Sequence, residues 1–127
     1  MKQADASLLD DFICTMPDDF LMRSDSWLVE RIHGENPPVI LDVRDRVSFE
    51  KAHVAGSINI PLRELPGRHG ELEKGGERKI ICYCNGSVMS AYALIFLASQ
   101  GFQGLYNLSG GFSRWQREER DVEGSEA

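Results

Sequence analysis

The sequence predicts an α/β fold in which a small parallel sheet carries helices on both faces. Short β-type apolar runs alternate along the chain with segments of helical spacing, a pattern typical of parallel sheets. Two of the runs, residues 39–43 and 79–84, are too continuously apolar for half-exposed strands, so we expect them at the centre of the sheet. The 127 residues suffice for one domain with one ordinary core.

A strand and a helix are predicted near the start of this domain. Residues 20–22 are a candidate first strand, and Ser24 is a suitable N-cap for a helix that continues through Ile32. Gly34 ends that helix, and residues 39–43 form the second strand. Strand, helix and strand in this order are the unit from which parallel sheets are built.

Proline and glycine residues interrupt the predicted elements in the middle of the chain. Residues 57–61 are the third predicted strand, which ends in a proline. Residues 63–76 are polar and rich in glycine, so a helix and a loop both fit. Residues 79–84 return to a continuous β-type run and form the fourth strand.

The last third of the chain repeats the alternation. Residues 87–100 carry apolar side chains at close to helical spacing, and Gly101 is a natural residue to end a helix. Residues 105–108 are the last predicted strand, and two glycines at 110–111 lead into a final helix. The prediction is therefore a sheet of about five strands.

Most of the charge lies at the two ends of the chain. The formal net charge is −6, but residues 1–19 carry five aspartates against one lysine, and residues 118–127 carry five acidic residues against one arginine. Each end has a net charge of −4, which leaves residues 20–117 at +2. We expect residues 20–117 to be the folded domain, with an acidic extension before it and an acidic tail after it. A short docking helix in the extension fits four apolar residues, Leu8, Leu9, Phe12 and Ile13.

The composition argues against several classes of protein. The net negative charge disfavours nucleic acid and anionic membrane surfaces as partners. The longest apolar stretch, residues 91–98, is too short to cross a membrane, and the N-terminus lacks the apolar core of a secretory signal. An odd number of cysteines without such a signal indicates free thiols and a cytoplasmic location. No metal site is expected, because Cys82 and Cys84 are wrongly spaced for one and the histidines are scattered.

Cys84 is the strongest candidate for a catalytic residue. It lies at the carboxyl end of a predicted central strand, where parallel sheets present loops to ligands. Backbone N–H groups and the positive end of the following helix would favour its thiolate and bind an anion. Position alone leaves a buried, unreactive cysteine equally acceptable. The candidate binding loop consists of Asn85, Gly86, Ser87, Val88, Met89 and Ser90.

Four fragments of the chain resemble, in order, motifs of the rhodanese family. They are Asp-Val-Arg at 42–44, Ala-His-Val-Ala-Gly-Ser-Ile-Asn-Ile-Pro at 52–61, Tyr-Cys at 83–84, and Gly-Phe at 101–102 with Leu-Ser-Gly-Gly-Phe-Ser-Arg-Trp at 108–115. Each fragment alone is weak, but their order and near-family spacing make the resemblance specific. It implies the rhodanese fold, a central and mostly parallel five-stranded sheet with helices on both faces.

The resemblance implies a sulfurtransferase with Cys84 as its nucleophile. The Cys84 thiolate would take sulfane sulfur from an anionic donor, hold it as a persulfide and pass it to a thiol or to cyanide. Thiosulfate, mercaptopyruvate, glutathione persulfide and a protein persulfide all fit as donors. The resemblance implies no metal and no organic cofactor, and backbone N–H groups of the loop would hold the anionic persulfide.

The loop departs from the family pattern in its charge. Many members that use thiosulfate carry a basic residue just after the cysteine and another late in the loop, where this chain has Asn85 and Met89. Arg46, Arg63 and Arg68 are candidates to supply positive potential from outside the loop. The missing cations also keep open an alternative, a rhodanese-like regulatory or protein-interaction module with little turnover.

Three further residues are candidates for a supporting role. Asp42 and Arg44 end a strand beside the predicted site, where we expect them to pair with each other or with backbone rather than contact substrate. The resemblance implies that His53 is mainly structural rather than a general base. Cys82 is expected to be buried and inert, whereas Cys14 is either an incidental thiol or a relay that accepts sulfur from Cys84.

The related phosphatases and arsenate reductases are disfavoured. Their chemistry needs a Cys-x5-Arg loop, whose arginine binds the oxyanion in a bidentate manner. Six residues after Cys84 this chain has Ser90, and no arginine lies nearby in the sequence.

Overall fold

A computed structural model describes residues 6–72 and 78–127 of the protein. Its strands are β1 (Met22–Arg23), β2 (Val39–Asp42), β3 (His53–Val54), β4 (Ile58–Asn59), β5 (Ile80–Tyr83), β6 (Leu105–Leu108) and β7 (Val122–Glu123). Its helices are α1 (Ala6–Thr15), α2 (Asp25–Ile32), α3 (Arg46–Lys51), α4 (Leu65–Arg68), α5 (Val88–Ser99) and α6 (Gly111–Arg117), with 3₁₀ turns at Leu62–Glu64 and His69–Glu71.

Five of the strands form one parallel sheet. Their order is β1-β6-β5-β2-β4, and each pair of neighbours runs parallel. The predicted α/β fold is confirmed, with β5 in the middle of the sheet. The register aligns Leu41 with Cys82 and Cys82 with Asn107, so the ends of the three central strands lie side by side.

Alternation along β5 sends its side chains into two separate cores. Ile81 and Tyr83 pack on one face of the sheet, against residues of α2 and α6. Cys82 and Cys84 lie on the other face, in a core that includes Ala93, Leu94 and Leu97 of α5. Helices therefore cover both faces, as predicted, and β5 is buried throughout because neither of its faces meets solvent.

The first strand begins later than the sequence predicts. Residues 20–22 were expected to form it, but Phe20 and Leu21 have φ angles of 54° and 64° and only Met22 belongs to β1. A left-handed backbone cannot continue a strand, and apolar composition gives no sign of it. Ser24 caps α2 as expected, since its hydroxyl accepts from the Trp27 N–H at 3.1 Å.

The structure contains elements that the sequence does not predict. The helix α3 follows β2, and Leu105–Leu108 is not the last strand, because β7 pairs antiparallel with β3 in a second, two-stranded sheet. Strands of two residues are too short to show periodicity, so only their tertiary partners define them. The polar segment 63–76 contains most of the first 3₁₀ turn, all of α4 and all of the second 3₁₀ turn, while its residues 73–76 lie outside the described part of the chain.

The two acidic ends make different contacts with the body. Helix α1 packs against α5. No helix in the described part of the chain is long and apolar enough to cross a membrane. At the other end, Ser125 N and Glu126 N donate to the carbonyl oxygens of Glu50 and Lys51 at 2.9 and 2.8 Å. The division of the chain at residues 19 and 117 stays a prediction, but residues 118–127 are not a free tail, because β7 and these bonds tie them to α3 and β3.

Candidate active site

Cys84 directly follows β5 and begins the loop that leads into α5. Its side chain is almost fully buried in the core on the α5 face. The loop turns within a few residues, so that the cysteine lies beneath the first turn of a twelve-residue helix. The N-terminus of such a helix presents unpaired N–H groups and a partial positive charge, which favour an anion at this place.

The first turn of α6 holds the loop from one side. Phe112 N donates to the Cys84 carbonyl oxygen at 2.8 Å, and Ser113 N donates to the Asn85 carbonyl oxygen at 3.0 Å. A Cβ atom on Gly111 would lie 2.5 Å from the Cys84 carbonyl oxygen and would also overlap the Gly86 carbonyl oxygen. The loop therefore keeps its shape only because residue 111 has no side chain.

A buried polar network reaches the sulfur from the sheet side. The Cys84 sulfur lies 3.5 Å from the Ser90 hydroxyl, which donates to the side-chain oxygen of Asn107 at 2.7 Å. The Asn107 amide in turn donates to the Ser87 carbonyl oxygen at 3.2 Å. Sequence reasoning missed Asn107. The available signal was a polar residue inside an otherwise apolar strand, which must find buried partners.

A buried ion pair lies on the other side of the loop. Arg44 binds Asp42 through two nitrogens, with Nη2 at 2.7 Å from the carboxylate, and it also donates to the Ala52 carbonyl oxygen at 2.7 Å. Burial alone would lower the pKa of Arg44, but its hydrogen bonds to Asp42 and the charge of that carboxylate raise it. Arg44 reaches the loop through Asn85, whose side-chain oxygen lies 3.5 Å from Nη1.

The guanidinium of Arg44 also lies 4.3 Å from the ring centre of Phe112, the residue whose N–H holds the loop. Asp42 and Arg44 therefore form the predicted pair. Because Asp42 balances its charge, Arg44 supports the loop without supplying it with a net positive charge.

His53 is not joined to this network by any contact among the described residues. Its Nδ1 lies 2.6 Å from the Phe49 carbonyl oxygen, its ring stacks on the Phe49 ring at 3.7 Å, and its Nε2 lies 3.8 Å from a Glu123 carboxylate oxygen. These contacts fasten α3 to the β3–β7 sheet. Their geometry is that of a structural histidine.

The other two cysteines lie outside this site. Cys82 is fully buried, and burial together with the nearby Cys84 raises its pKa to about 12, so it stays a neutral thiol. Cys14 is exposed on α1. Within residues 6–72 and 78–127, no group of three or more histidine, cysteine or acidic side chains is arranged to bind a metal ion.

Comparison with known proteins finds one consistent relationship. A family model described as "Rhodanese-like domain" matches residues 24–118. The chain is 38% identical to the Bacillus subtilis protein YqhL over 82 residues, which are 65% of this chain and 64% of that protein. It is 33% identical over 78 residues to a Coxiella burnetii protein named thiosulfate sulfurtransferase GlpE, covering 61% of this chain and 71% of GlpE.

Solved structures agree with the sequence comparisons. The rhodanese-like domain of the Anabaena protein Alr3790, solved by NMR, superposes with a TM-score of 0.75 at 31% identity. The superposition covers 84% of this chain and 80% of that domain.

Proposed function

The chain belongs to the rhodanese family, and on that premise we propose that it is a sulfurtransferase that carries sulfane sulfur as a persulfide on Cys84. The observation that carries the proposal is the position of the Cys84 sulfur, buried beneath the N-terminus of α5 and 3.5 Å from the Ser90 hydroxyl. A persulfide is an anion, so a recessed site with N–H donors suits it.

The reaction needs two displacements at sulfur. In the first, the Cys84 thiolate attacks the outer sulfur of the donor, a sulfur–sulfur bond forms to Cys84, and the donor's own bond to that sulfur breaks. With thiosulfate the leaving group is sulfite, and the negative charge moves to the terminal sulfur of the persulfide. In the second, cyanide or an acceptor thiolate attacks that terminal sulfur and Cys84 leaves as the thiolate.

The loop residues have different parts in this proposal. Backbone N–H groups from Asn85 to Ser90 hold the terminal sulfur, while the Asp42–Arg44 pair and Asn107 fix the loop that carries them. Candidate donors are small sulfur anions and a protein persulfide, with a thiol as acceptor. The free thiols suit a reducing compartment such as the cytoplasm.

Mass spectrometry of the intact protein tests the proposal. The protein is incubated with thiosulfate, mercaptopyruvate or glutathione persulfide, and a gain of one sulfur atom is expected in the wild type and in Cys14→Ser. Cys84→Ser should gain none. If no donor loads the wild type, the enzymatic proposal fails.

One observation favours a second candidate, a rhodanese-like interaction module. Residues 84–90 carry no cationic side chain, so a donor anion gains no charge pairing within the loop. This candidate predicts that Cys84 alkylates no faster than a free model thiol. It also predicts that Cys84→Ser binds a protein partner as tightly as the wild type.

A further inference from the structure

We propose that the site selects a singly charged organic sulfur donor whose apolar part lies in a groove beside the loop, and that it discriminates against thiosulfate. This inference rests on the proposed function, because it names the substrate class of the same site. Two independent observations carry it, one on charge and one on shape.

The first observation is the distribution of positive charge around Cys84. The loop has no cation, and the buried cation next to it, Arg44, is held by Asp42 at 2.7 Å. Arg68, one of the arginines considered above, binds Glu64 and Glu71 at 2.9 and 2.8 Å. A dianion that approaches the Cys84 thiolate therefore meets N–H dipoles and no unbalanced guanidinium among these residues.

A second negative charge on the donor is costly in such a site. Two unit charges 4 Å apart interact by about 4 kcal/mol in a partly buried setting, against about 1 kcal/mol in water. Thiosulfate brings two charges toward the thiolate, and an organic thiosulfonate or persulfide brings one. Because the loop has no cation to offset the second charge, the singly charged donor is favoured.

The second observation is a mainly apolar groove of about 590 Å³ that Met89 of the 84–90 segment helps to line. Its apolar walls come from three segments that meet there, the end of β2, the turn before α4 and the start of α5. They consist of Val43, Pro61, Leu62, Met89 and Tyr92. The volume is that of a small-molecule site, and Met89, the second residue of α5, places the groove next to the turn that follows Cys84.

Apolar side chains at this end of α5 are unusually exposed. Val88, Met89 and Tyr92 are 64, 40 and 59% accessible, although all three lie within the first five residues of the helix. A core would bury such residues, and a purely solvated surface would not favour them. A ligand in the groove would cover Met89 and Tyr92, which line it.

Two of the three charged residues at the rim of the groove already have partners within the protein. Asp45 accepts from the backbone and hydroxyl of Ser48 at 2.8 and 2.9 Å, and Glu64 is bound by Arg68. Arg63 also lines the rim, and it forms no ion pair with the residues of 6–72 and 78–127. The groove therefore offers apolar surface together with one cation, which complements an apolar body that carries a single negative charge.

The chemistry of such a donor balances in the same way as that of thiosulfate. The Cys84 thiolate attacks the outer sulfur of an organic thiosulfonate, the bond between that sulfur and the sulfonyl sulfur breaks, and a sulfinate leaves with the bonding electrons. The product is the Cys84 persulfide anion. No oxidant or reductant is consumed.

Three donors test the effect of charge and the effect of apolar contact separately. Thiosulfate carries two charges and no apolar body, methanethiosulfonate carries one charge and a methyl group, and benzenethiosulfonate carries one charge and a ring. With cyanide as acceptor, kcat/KM is expected to rise along this series. Because the donors differ in intrinsic reactivity, the decisive measurements are ratios between variants.

Two variants test the groove and the charge separately. Tyr92→Ala should lower the ratio of kcat/KM for benzenethiosulfonate to that for methanethiosulfonate by about fivefold, because it removes apolar contact with the ring. Met89→Lys should raise kcat/KM for thiosulfate relative to methanethiosulfonate by about tenfold, because it adds the missing cation. Leu8→Ala is the matched control, since Leu8 is similarly exposed but lies against the C-terminal half of α5.

The outcomes distinguish this inference from the proposed function. If no donor loads Cys84, the proposed function fails. If thiosulfate is the best donor, or if Met89→Lys leaves the thiosulfate ratio unchanged, the charge argument is overturned while the sulfurtransferase remains. If Tyr92→Ala changes the ring-to-methyl ratio no more than Leu8→Ala does, the groove does not hold the donor and its apolar surface serves a protein partner instead.

Discussion

The Ser90 hydroxyl donates its single hydrogen to the side-chain oxygen of Asn107 at 2.7 Å, while its oxygen faces the Cys84 sulfur at 3.5 Å. The Asn107 amide is oriented by its bond to the Ser87 carbonyl oxygen, so it presents only an acceptor to Ser90. The sulfur and Asn107 therefore compete for one hydrogen. A neutral Cys84 thiol would therefore donate to Ser90, and a thiolate can gain a hydrogen bond from this hydroxyl only if Ser90 turns away from Asn107.

Asn107→Ala is expected to make Cys84 more reactive. Without its acceptor, the Ser90 hydroxyl is free to donate to the thiolate, and a hydrogen bond to a charged group is worth about 1.5–3 kcal/mol. The rate of alkylation by iodoacetamide at pH 7 should rise about tenfold, measured by intact mass in a Cys14→Ser background. The double variant with Ser90→Ala should lose that gain, and an unchanged rate in Asn107→Ala would contradict the competition.

Arg44→Met is expected to destabilise the protein strongly. It leaves the Asp42 carboxylate buried without its partner, and breaking a buried pair in this way costs about 3–5 kcal/mol. Urea denaturation at pH 7 measures the free energy of unfolding. Arg68→Met is the control, because its pairs with Glu64 and Glu71 are more exposed and their loss should destabilise the protein far less. Equal losses in the two variants would refute the buried role of Arg44.

Gly111→Ala should disable the loop through overlap rather than through backbone strain. The new methyl would lie 2.5 Å from the Cys84 carbonyl oxygen and 2.7 Å from the Asn85 carbonyl oxygen. Gly56→Ala supplies the comparison, since Gly56 also has a positive φ but its added Cβ meets open space. We expect about 1–2 kcal/mol of destabilisation in Gly56→Ala. Loss of persulfide formation should occur only in Gly111→Ala, and similar loading in both variants would argue against the packing role.

Asp25→Asn should weaken the protein at neutral pH but not in acid. Burial alone would raise the pKa of Asp25, but hydrogen bonds from Arg120 at 2.9 Å and Arg114 at 3.1 Å, and their charges, lower it below 3.8. Because the pKa is lower in the folded state, the stabilisation is complete above about pH 4 and is lost as the pH falls through the folded-state value.

The free energy of unfolding of Asp25→Asn should therefore fall by about 1–3 kcal/mol at pH 7, since hydrogen bonds to a charged group are lost. The difference from the wild type should shrink as the pH falls below about 4. Denaturant titrations at a series of pH values measure both effects. A difference that stays constant down to pH 2 would show that the ion pairs contribute nothing.

The features that could be predicted are those that depend on residues close together in the sequence. The runs at 39–43 and 79–84 are apolar on both sides because both faces of the sheet are covered, and this alone places them at its centre. Ser24 begins α2 through a local hydrogen bond, and Gly101 follows the end of α5 with a positive φ angle. The position of Cys84 between a strand and a helix follows from the same reasoning.

Other features depend on residues distant in sequence, and these were beyond prediction. Asn107 acts on Cys84 across neighbouring strands, and only the sheet order brings them together. The groove beside Met89 is built from three separate segments of the chain. Phe20 and Leu21 look like strand residues, and only the structure shows their left-handed backbone.

The strand β7 has a consequence for how this protein should be produced. The match to the family model ends at residue 118, yet Val122 pairs with Val54 and residues 125 and 126 bind the end of α3. A version truncated at that boundary would leave the outer edge of β3 with unpaired main-chain groups, and an open strand edge can recruit a second molecule. The acidic end of the chain thus covers this strand edge, and we expect a protein that lacks the last nine residues to self-associate more readily than the full chain.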